Sequence, residues 1–353
     1  MGIEWCFRRT GNDRRRTNKH FQYTGNLRKR RRKRKMIKIL ELFGGIGAPR
    51  KALINLGVEH KSIDYVEWNE KAVRSYNAIF DNRYQPESVV GYNLQPDILV
   101  HGSPCQDFSI AGKQYGGNIE DGTRSSLLFE TIKIIENLGI WKPKVVIWEN
   151  VKNVLSKKMI PAFNHYLRDM EALGYTNSFE VLDARDFGIP QFRERIFTVS
   201  IMGDEYFNFN DLEFKKMRDI REFLEDDVDD RYTITQPSML AKINATGTRT
   251  LKPVKDYVWT ITTKQMRCPN SGIISIGNGQ YRLLTERECW RLMGFDDEDF
   301  DNAEKAHPRR QNYLNGTLYH QSGNSIVVDV LEAIFKALLK SNIEIKQEEL
   351  TNG

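Results

Sequence analysis

From residue 37 to residue 202 the chain alternates short apolar runs with longer amphipathic stretches. The apolar runs have the length of buried strands, and they are residues 37–43, 62–67, 97–101, 144–148 and 195–201. The stretches between them repeat apolar residues at helical spacing, and they are residues 49–56, 70–79, 126–138 and 160–173. Regular alternation of strand and helix is typical of an α/β protein with a doubly wound, Rossmann-like sheet.

This alternation ends after residue 202. Residues 203–282 are polar and carry only short β-like pieces at 258–263 and 272–276, so we expect a smaller, mostly β or irregular domain there. Helical patterning returns afterwards and ends in an amphipathic helix at 327–339, which we expect to pack back onto the first domain. The predicted divisions are a basic extension at 1–35, an α/β domain at 36–202, the small domain at 203–282, a returning segment at 283–342 and a tail at 343–353.

The positive charge of the chain is concentrated at its beginning. Residues 1–35 hold 14 of the 53 Lys and Arg residues and 2 of the 47 Asp and Glu residues, so the remainder is mildly acidic. We expect this basic segment to be disordered. Met36 stands directly before the first predicted strand, so the segment is interpreted either as sequence upstream of the natural start or as a phosphate-binding arm or localisation signal. Bulk charge therefore does not identify a partner for the α/β domain.

The cysteines and the hydropathy pattern exclude several classes of protein. Four cysteines are scattered without CxxC spacing, which argues against a metal site or a disulfide framework and fits a reducing cytoplasm. No apolar run approaches the roughly 20 residues of a membrane-spanning helix. We therefore expect a cytoplasmic protein without a bound metal.

A glycine-rich loop follows the first predicted strand. The loop Phe43-Gly-Gly-Ile-Gly-Ala48 precedes a helix, and Glu67 closes the next strand about 20 residues later, a spacing at which a carboxylate accepts hydrogen bonds from ribose hydroxyls. This arrangement predicts a site for a nucleoside cofactor. It does not choose between NAD and S-adenosylmethionine, because the loop departs from the GxGxxG pattern.

Three further strand ends supply reactive groups. Cys105 follows Pro104 in the loop after the third strand, and Glu149 follows the fourth. Strand alternation places Gln191, Arg193 and Arg195 on one face of the strand segment that comes later. A lone cysteine is more often a small buried residue than a nucleophile. A thiol, a carboxyl group and two guanidinium groups that converge at one edge beside a nucleoside site favour catalysis instead.

Taken in order, these motifs resemble those of the cytosine-C5 DNA methyltransferases. The resemblance covers residues 37–202 and 283–340. It rests on Phe43-Gly-Gly-Ile-Gly-Ala48, Glu67-Trp68, Pro104-Cys-Gln106, Glu149-Asn-Val151, Gln191-Phe-Arg-Glu-Arg195, Leu284-Thr-Glu-Arg-Glu-Cys289, Met293-Gly-Phe295 and Gly323-Asn-Ser325. It implies a methyltransferase sheet, with residues 203–282 as the target-recognition domain.

The resemblance implies a role for each catalytic candidate. Cys105 would add to C6 of a cytosine flipped out of duplex DNA, and Glu149 would act on N3 and the 4-amino group as a neutral acid. Arg195 would hold the O2 edge, with Arg193 beside it. Cys289 is interpreted as a packing residue.

The same resemblance implies S-adenosylmethionine as the cofactor. Phe43, Gly45 and Gly47 would form the loop around it, Glu67 would bind the ribose, and Trp68 would cover the adenine face. Leu127 matches another adenine-side position, and Asn324 would contribute a backing contact. At Tyr92-Asn93 the chain departs from the acidic residue that the family often has there.

The resemblance also implies the partners. We expect a bacterial or phage-encoded monomer that binds duplex DNA and does not bind a cognate restriction endonuclease. Within the recognition region, Thr260-Ile-Thr262 resembles a short signature of these modules. The donors after it are expected to reach base edges, and they are Lys264, Gln265, Arg267 and Asn270.

Three alternatives stay open. They are an RNA cytosine methyltransferase on the same scaffold, a DNA-binding relative without catalysis and an NAD oxidoreductase. The first lacks support because the Cys-Phe-Thr signature associated with that branch is missing from the recognition region. Intact Cys105, Glu149 and Arg195 speak against the second. The third leaves the Pro-Cys-Gln and Glu-Asn-Val segments unexplained.

Overall fold

The computed structural model describes residues 36–89, 95–102, 126–243, 245, 250–267, 269–311, 313–341, 343 and 345. The strands in these ranges are β1 (Ile37–Leu42), β2 (His60–Val66), β3 (Ile98–His101), β4 (Val145–Val151), β5 (Tyr175–Asp183), β6 (Gln191–Phe192), β7 (Glu194–Met202), β8 (Val258–Trp259), β9 (Ile274–Gly277) and β10 (Gln280–Arg282). The α-helices are α1 (Ala48–Asn55), α2 (Glu70–Phe80), α3 (Ser126–Asn137), α4 (Ile160–Ala172), α5 (Pro237–Ile243), α6 (Glu286–Arg291), α7 (Asp297–Ala306), α8 (Gly316–Asn324) and α9 (Val328–Lys340).

Six strands form the central sheet in the order β2-β1-β3-β4-β7-β5. The first four run parallel, whereas β7 is antiparallel to both β4 and β5. The predicted α/β class and its Rossmann-like sheet are confirmed, and all five predicted strands are present. β5 was not predicted. The reversal of β7 matters for the site, because it places the beginning of β7 beside the end of β4, with Arg195 opposite Val151.

Side chains of alternating strand residues fill two cores on the two faces of the sheet. Ile39 and Val100 point to one face, where the core also includes residues of α1 and α9. Leu40 and Leu99 point to the other, where α3 and α4 cover the sheet. α9 therefore packs against the α/β unit, as its amphipathic pattern predicts. Among the described helices, none is both long enough and apolar enough to span a membrane.

The predicted boundary at residue 203 does not separate two cores. Four buried residues just beyond it pack into the same core as the sheet, and they are Phe207, Leu212, Ile220 and Phe223. A small separate cluster forms only later, around Ile234, Leu251, Ile273 and Leu283. Periodicity could not reveal this, because most of residues 203–232 lie on irregular backbone and short 3₁₀ turns. The β-like piece at 258–263 is a strand only at β8.

A buried ion pair fastens α1 to the returning segment. Lys51 Nζ lies 2.5 Å from Asp296 Oδ2 and 2.7 Å from Asp299 Oδ2, and Lys51 is buried. Asp296 caps the N-terminus of α7. Lys51 therefore joins α1, the helix after the glycine-rich loop, to the start of a helix 245 positions later in the chain.

We expect Lys51→Met to lower the free energy of unfolding by about 3 kcal/mol, because it leaves a buried carboxylate without its cation. Urea denaturation of the purified protein measures this. Lys133→Met is the matched control, because Lys133 forms an ion pair of 2.7 Å with Glu130 but is exposed, and it should cost less than about 1 kcal/mol. Equal losses in the two variants would contradict a structural role for the buried pair.

Candidate active site

The candidate site lies where β3 and β4 end and β7 begins. Glu149 is near the end of β4, and its Oε1 lies 3.2 Å from Arg195 Nε at the start of β7. A Cβ built on Gly102, the residue after β3, would lie 3.9 Å from Glu149 Oε2. The backbone that leaves β3 toward Cys105 therefore passes beside this carboxyl group. Cys105 itself, like Tyr92 and Asn93, lies outside the described residues.

Burial dominates the electrostatics of Glu149. Its side chain is 13% exposed, and burial raises its pKa above the ordinary value for glutamate, while the guanidinium groups of Arg195 and Arg193 act in the opposite direction. A raised pKa increases the protonated fraction of a carboxyl group at a given pH, which favours a role as general acid.

Arg193 makes contacts of a different kind. The residue is 4% exposed, and its Nη1 donates to Ile261 O at 3.0 Å. Its Nη2 donates to Gly323 O at 3.1 Å and to Ser325 O at 2.8 Å. Alternation predicted that Gln191, Arg193 and Arg195 lie on one face, and Gln191 and Arg193 are both buried and both contact Ile261. The contacts of Arg193 favour a positioning role over contact with a base.

The glycine-rich loop has the conformation that its glycines allow. Gly47 caps α1 with φ of 82°, and a Cβ there would lie 2.4 Å from the Phe80 ring and 2.7 Å from the Tyr76 ring. Gly45 also has a positive φ, and among the described residues a Cβ there would meet no atom within 4 Å. The loop is therefore pressed against α2 at Gly47 and open at Gly45, where its backbone could approach a ligand.

Glu67 braces this loop from the end of β2. Its Oε2 accepts a hydrogen bond from Gly45 N at 3.2 Å, and its Oε1 accepts one from Asn69 N at 2.9 Å. Burial raises the pKa of Glu67, and these N–H donors oppose the shift. Trp68, next in the chain, is 71% exposed, so its indole face is uncovered beside the loop. Tyr65, which belongs to none of the sequence motifs, also contacts the loop, because its hydroxyl donates to Gly45 O at 2.5 Å.

The positions of the remaining candidate residues say less about their roles. Phe43 has a positive φ of 55° at the start of the loop. Leu127 belongs to α3, but its side chain lies outside the described residues. Asn324 is the last residue of α8, is exposed, and has its Nδ2 3.3 Å from His320 Nδ1. Cys289 is buried, which agrees with packing.

One expectation for the recognition region is wrong. Gln265 is fully buried, and its Nε2 donates to Ser271 Oγ, so it does not reach outward toward DNA as predicted. Its position in a polar segment gave no sign of this, because burial there depends on a turn that returns at residue 271. Lys264 and Asn270 are exposed, and Arg267 is exposed as well.

Comparison with known proteins identifies the family. The family described as C-5 cytosine-specific DNA methylase matches residues 37–340. The chain belongs to this family. It is a DNA methyltransferase of the cytosine-C5 class, and the match begins one residue after Met36.

Curated relatives and solved structures agree with this assignment. The type II methyltransferase M2.ScrFI of Lactococcus lactis subsp. cremoris is 32% identical, over 87% of this chain and 100% of that protein. M.HhaI of Haemophilus parahaemolyticus, also a type II methyltransferase, is 31% identical over 84% and 93%. The crystal structure of the S. pombe Dnmt2 methyltransferase shares the fold, with a TM-score of 0.69 and 19% identity over 86% and 98% of the two chains.

Proposed function

We propose that this chain transfers a methyl group from S-adenosylmethionine to C5 of cytosine at a specific sequence in duplex DNA, through a covalent bond between Cys105 Sγ and C6. The observation that carries the proposal is the Glu149–Arg195 pair beside the backbone that leads to Cys105. Cys105 is three residues beyond Gly102, so its Cα lies within about 11 Å of that of Gly102. A base held by Glu149 and Arg195 is therefore within its reach.

C5 of cytosine is too weak a nucleophile to attack the methyl group unaided, so the enzyme must first add a nucleophile of its own to the ring. The Cys105 thiolate adds to C6, and the electron pair of the C5–C6 double bond becomes available at C5. C5 then forms a bond to the methyl carbon as the methyl–sulfur bond breaks. Loss of the C5 proton to water and cleavage of the Sγ–C6 bond restore the aromatic ring and the thiolate, and N3 returns its proton to Glu149.

Glu149 and Arg195 stabilise the ring while Cys105 is attached. Protonated Glu149 donates to N3, where negative charge develops when the thiolate adds. Arg195, which already lies 3.2 Å from that carboxyl group, donates to O2. Both groups sit at the end of a sheet where they cannot reach a base stacked inside a duplex, so the cytosine must be flipped out, at a cost of a few kcal/mol.

The glycine-rich loop fits the proposed cofactor. S-adenosylmethionine supplies an electrophilic methyl group. Phe43, Gly45 and Gly47 would line the cofactor with their backbone, which is open at Gly45, and Glu67 has lone pairs for ribose hydroxyls besides those used by Gly45 N and Asn69 N. The exposed Trp68 indole offers a face for adenine. Leu127 and Asn324 are proposed as further contacts.

The proposed setting is the cytoplasm of a bacterium or a phage-infected cell, with the enzyme acting as a monomer. Type II methyltransferases and the orphan methyltransferase M.SPBetaI of Bacillus phage SPbeta, which is 25% identical, are both among the relatives. Duplex DNA is then the partner, and a restriction endonuclease need not be bound.

Bisulfite sequencing of DNA from bacterial cells that express the chain tests this function. We expect conversion-resistant cytosines at one short sequence and at no other, because a recognition region selects the site before the base is flipped. Cells that express Cys105→Ala provide the background. Absence of resistant cytosines in DNA, or resistant cytosines only in RNA from the same cells, would overturn the proposal.

A further inference from the structure

Arg193 joins two segments that are far apart in the sequence. Its guanidinium donates to one carbonyl of the recognition region, Ile261 O, and to two carbonyls at the end of α8, those of Gly323 and Ser325. All three acceptors are backbone atoms, and the arginine is buried. A planar guanidinium suits such a junction because it donates from two separate nitrogens in a fixed geometry, whereas a lysine donates from a single nitrogen.

Gln191 completes the junction from the same face. Its Oε1 accepts a hydrogen bond from Ile261 N at 3.0 Å, and its Nε2 donates to Leu292 O at 2.8 Å. Side chains from positions 191 and 193 therefore satisfy both the N–H and the C=O of Ile261. In addition, Thr260 Oγ1 donates to Phe192 O at 2.8 Å, and β6 pairs in parallel with β8.

The backbone of Gly323 packs closely against the residues that follow Ile261. A Cβ built on Gly323 would lie 2.3 Å from Thr263 N and 2.4 Å from Thr262 C. Both neighbours are backbone atoms, which cannot rotate away as the end of a side chain can. Any larger residue at position 323 must therefore displace residues 262–263 from α8.

We infer that Gln191, Arg193, Ile261 and Gly323 form a joint that holds the recognition region in register with β7, and that Arg193 is a positioning residue that sets DNA affinity and site fidelity. The inference rests on the proposed function. Arg195, which faces the base, is two residues from Arg193, and the exposed donors Lys264 and Arg267 follow Ile261 closely. The joint thus connects the groups that would read DNA to the group that would hold the flipped cytosine.

Three substitutions disturb this joint. Arg193→Met removes the donors, Arg193→Lys keeps the charge but not the fork, and Gly323→Ala pushes residues 262–263 away without changing a residue of β7. For Arg193→Met, which removes three hydrogen bonds, and for Gly323→Ala, which displaces their acceptors, we expect the KM for duplex DNA to rise on the order of tenfold. The ratio of cognate to one-mismatch methylation should fall similarly, and Arg193→Lys should recover part of both.

The single-turnover rate at saturating DNA should change least, because a residue that only positions the recognition region acts before the chemical step. The two perturbations should also be less than additive when combined, because they break the same joint. Gly316→Ala is the matched control in the same helix. Among the described residues its Cβ would meet the flexible Met266 side chain alone, at 3.1 Å from Sδ, so its KM and fidelity should stay close to those of the wild type.

Assays of the whole chain distinguish failure of the proposed function from failure of the inference about Arg193. If the wild type methylates no DNA, the proposed function fails. If the wild type is active but Arg193→Met loses single-turnover rate with unchanged KM and fidelity, Arg193 touches the reacting base and the inference is overturned. It is also overturned if the variants only melt at lower temperature and keep normal KM and fidelity well below that temperature.

Discussion

Replacing Cys105 by serine is expected to lower turnover at least about a thousandfold while S-adenosylmethionine binding stays nearly unchanged. A hydroxyl group is far less ionised than a thiol at neutral pH, so it cannot form the bond to C6 at a useful rate. Transfer of labelled methyl groups to duplex DNA measures the turnover. Isothermal titration with the cofactor measures the binding, because no residue of the proposed cofactor site is changed.

The chain offers a matched control for this substitution. Cys289 is also a cysteine but is fully buried in the core, where burial raises the pKa of its thiol well above the ordinary value. Cys289→Ala should therefore keep the wild-type turnover.

DNA with 5-fluorocytosine at the target should form an adduct with the wild type that resists denaturation, since fluorine cannot leave as a proton does. Substantial methylation by Cys105→Ser would exclude the covalent route.

The sequence predicts the sheet well where strands are buried on both faces. β1, β3 and β4 are almost wholly buried, so their apolar runs stand out from the surrounding chain. β5 (Tyr175–Asp183) was missed because it lies at the edge of the sheet, is only partly buried and contains several polar residues. The direction of β7 could not be predicted either. Strand patterns repeat every two residues whichever way the strand runs.

The site shows a similar division. Motif order predicted that Glu149 and Arg195 would meet, and the structure places them 3.2 Å apart. Strand alternation alone could not distinguish Arg195 from Arg193, because it assigns both to one face and they have the same chemistry; only the family resemblance gave the O2 edge to Arg195. What separates them is the set of carbonyl groups around Arg193, which come from residues 68 to 132 positions away. Such contacts are properties of the folded chain, and local patterns do not contain them.

Glu149→Gln is expected to lower kcat by about a hundredfold to ten-thousandfold, the range of a lost general acid. Glutamine keeps the size of the side chain and can donate a hydrogen bond, but it has no proton to transfer to N3. Methyl transfer under single-turnover conditions with saturating DNA and cofactor measures this loss. Retained cofactor binding would show that the site is still folded.

The pH dependence of the methyl-transfer rate should show which group supplies the proton to N3. Burial raises the pKa of Glu149, and Arg195 and Arg193 oppose the shift, so the protonated fraction decreases as the pH rises through this raised value. The wild-type rate should therefore fall as the pH rises through this raised value, because Glu149 loses its proton. Glu149→Gln should lack this falling limb. The control Glu180→Gln makes the same change at an exposed glutamate on β5, next to β7, and should keep the falling limb. A falling limb that persists in Glu149→Gln would show that a group other than Glu149 supplies the proton. Of the described side chains proposed to contact the base, Arg195 alone would then remain.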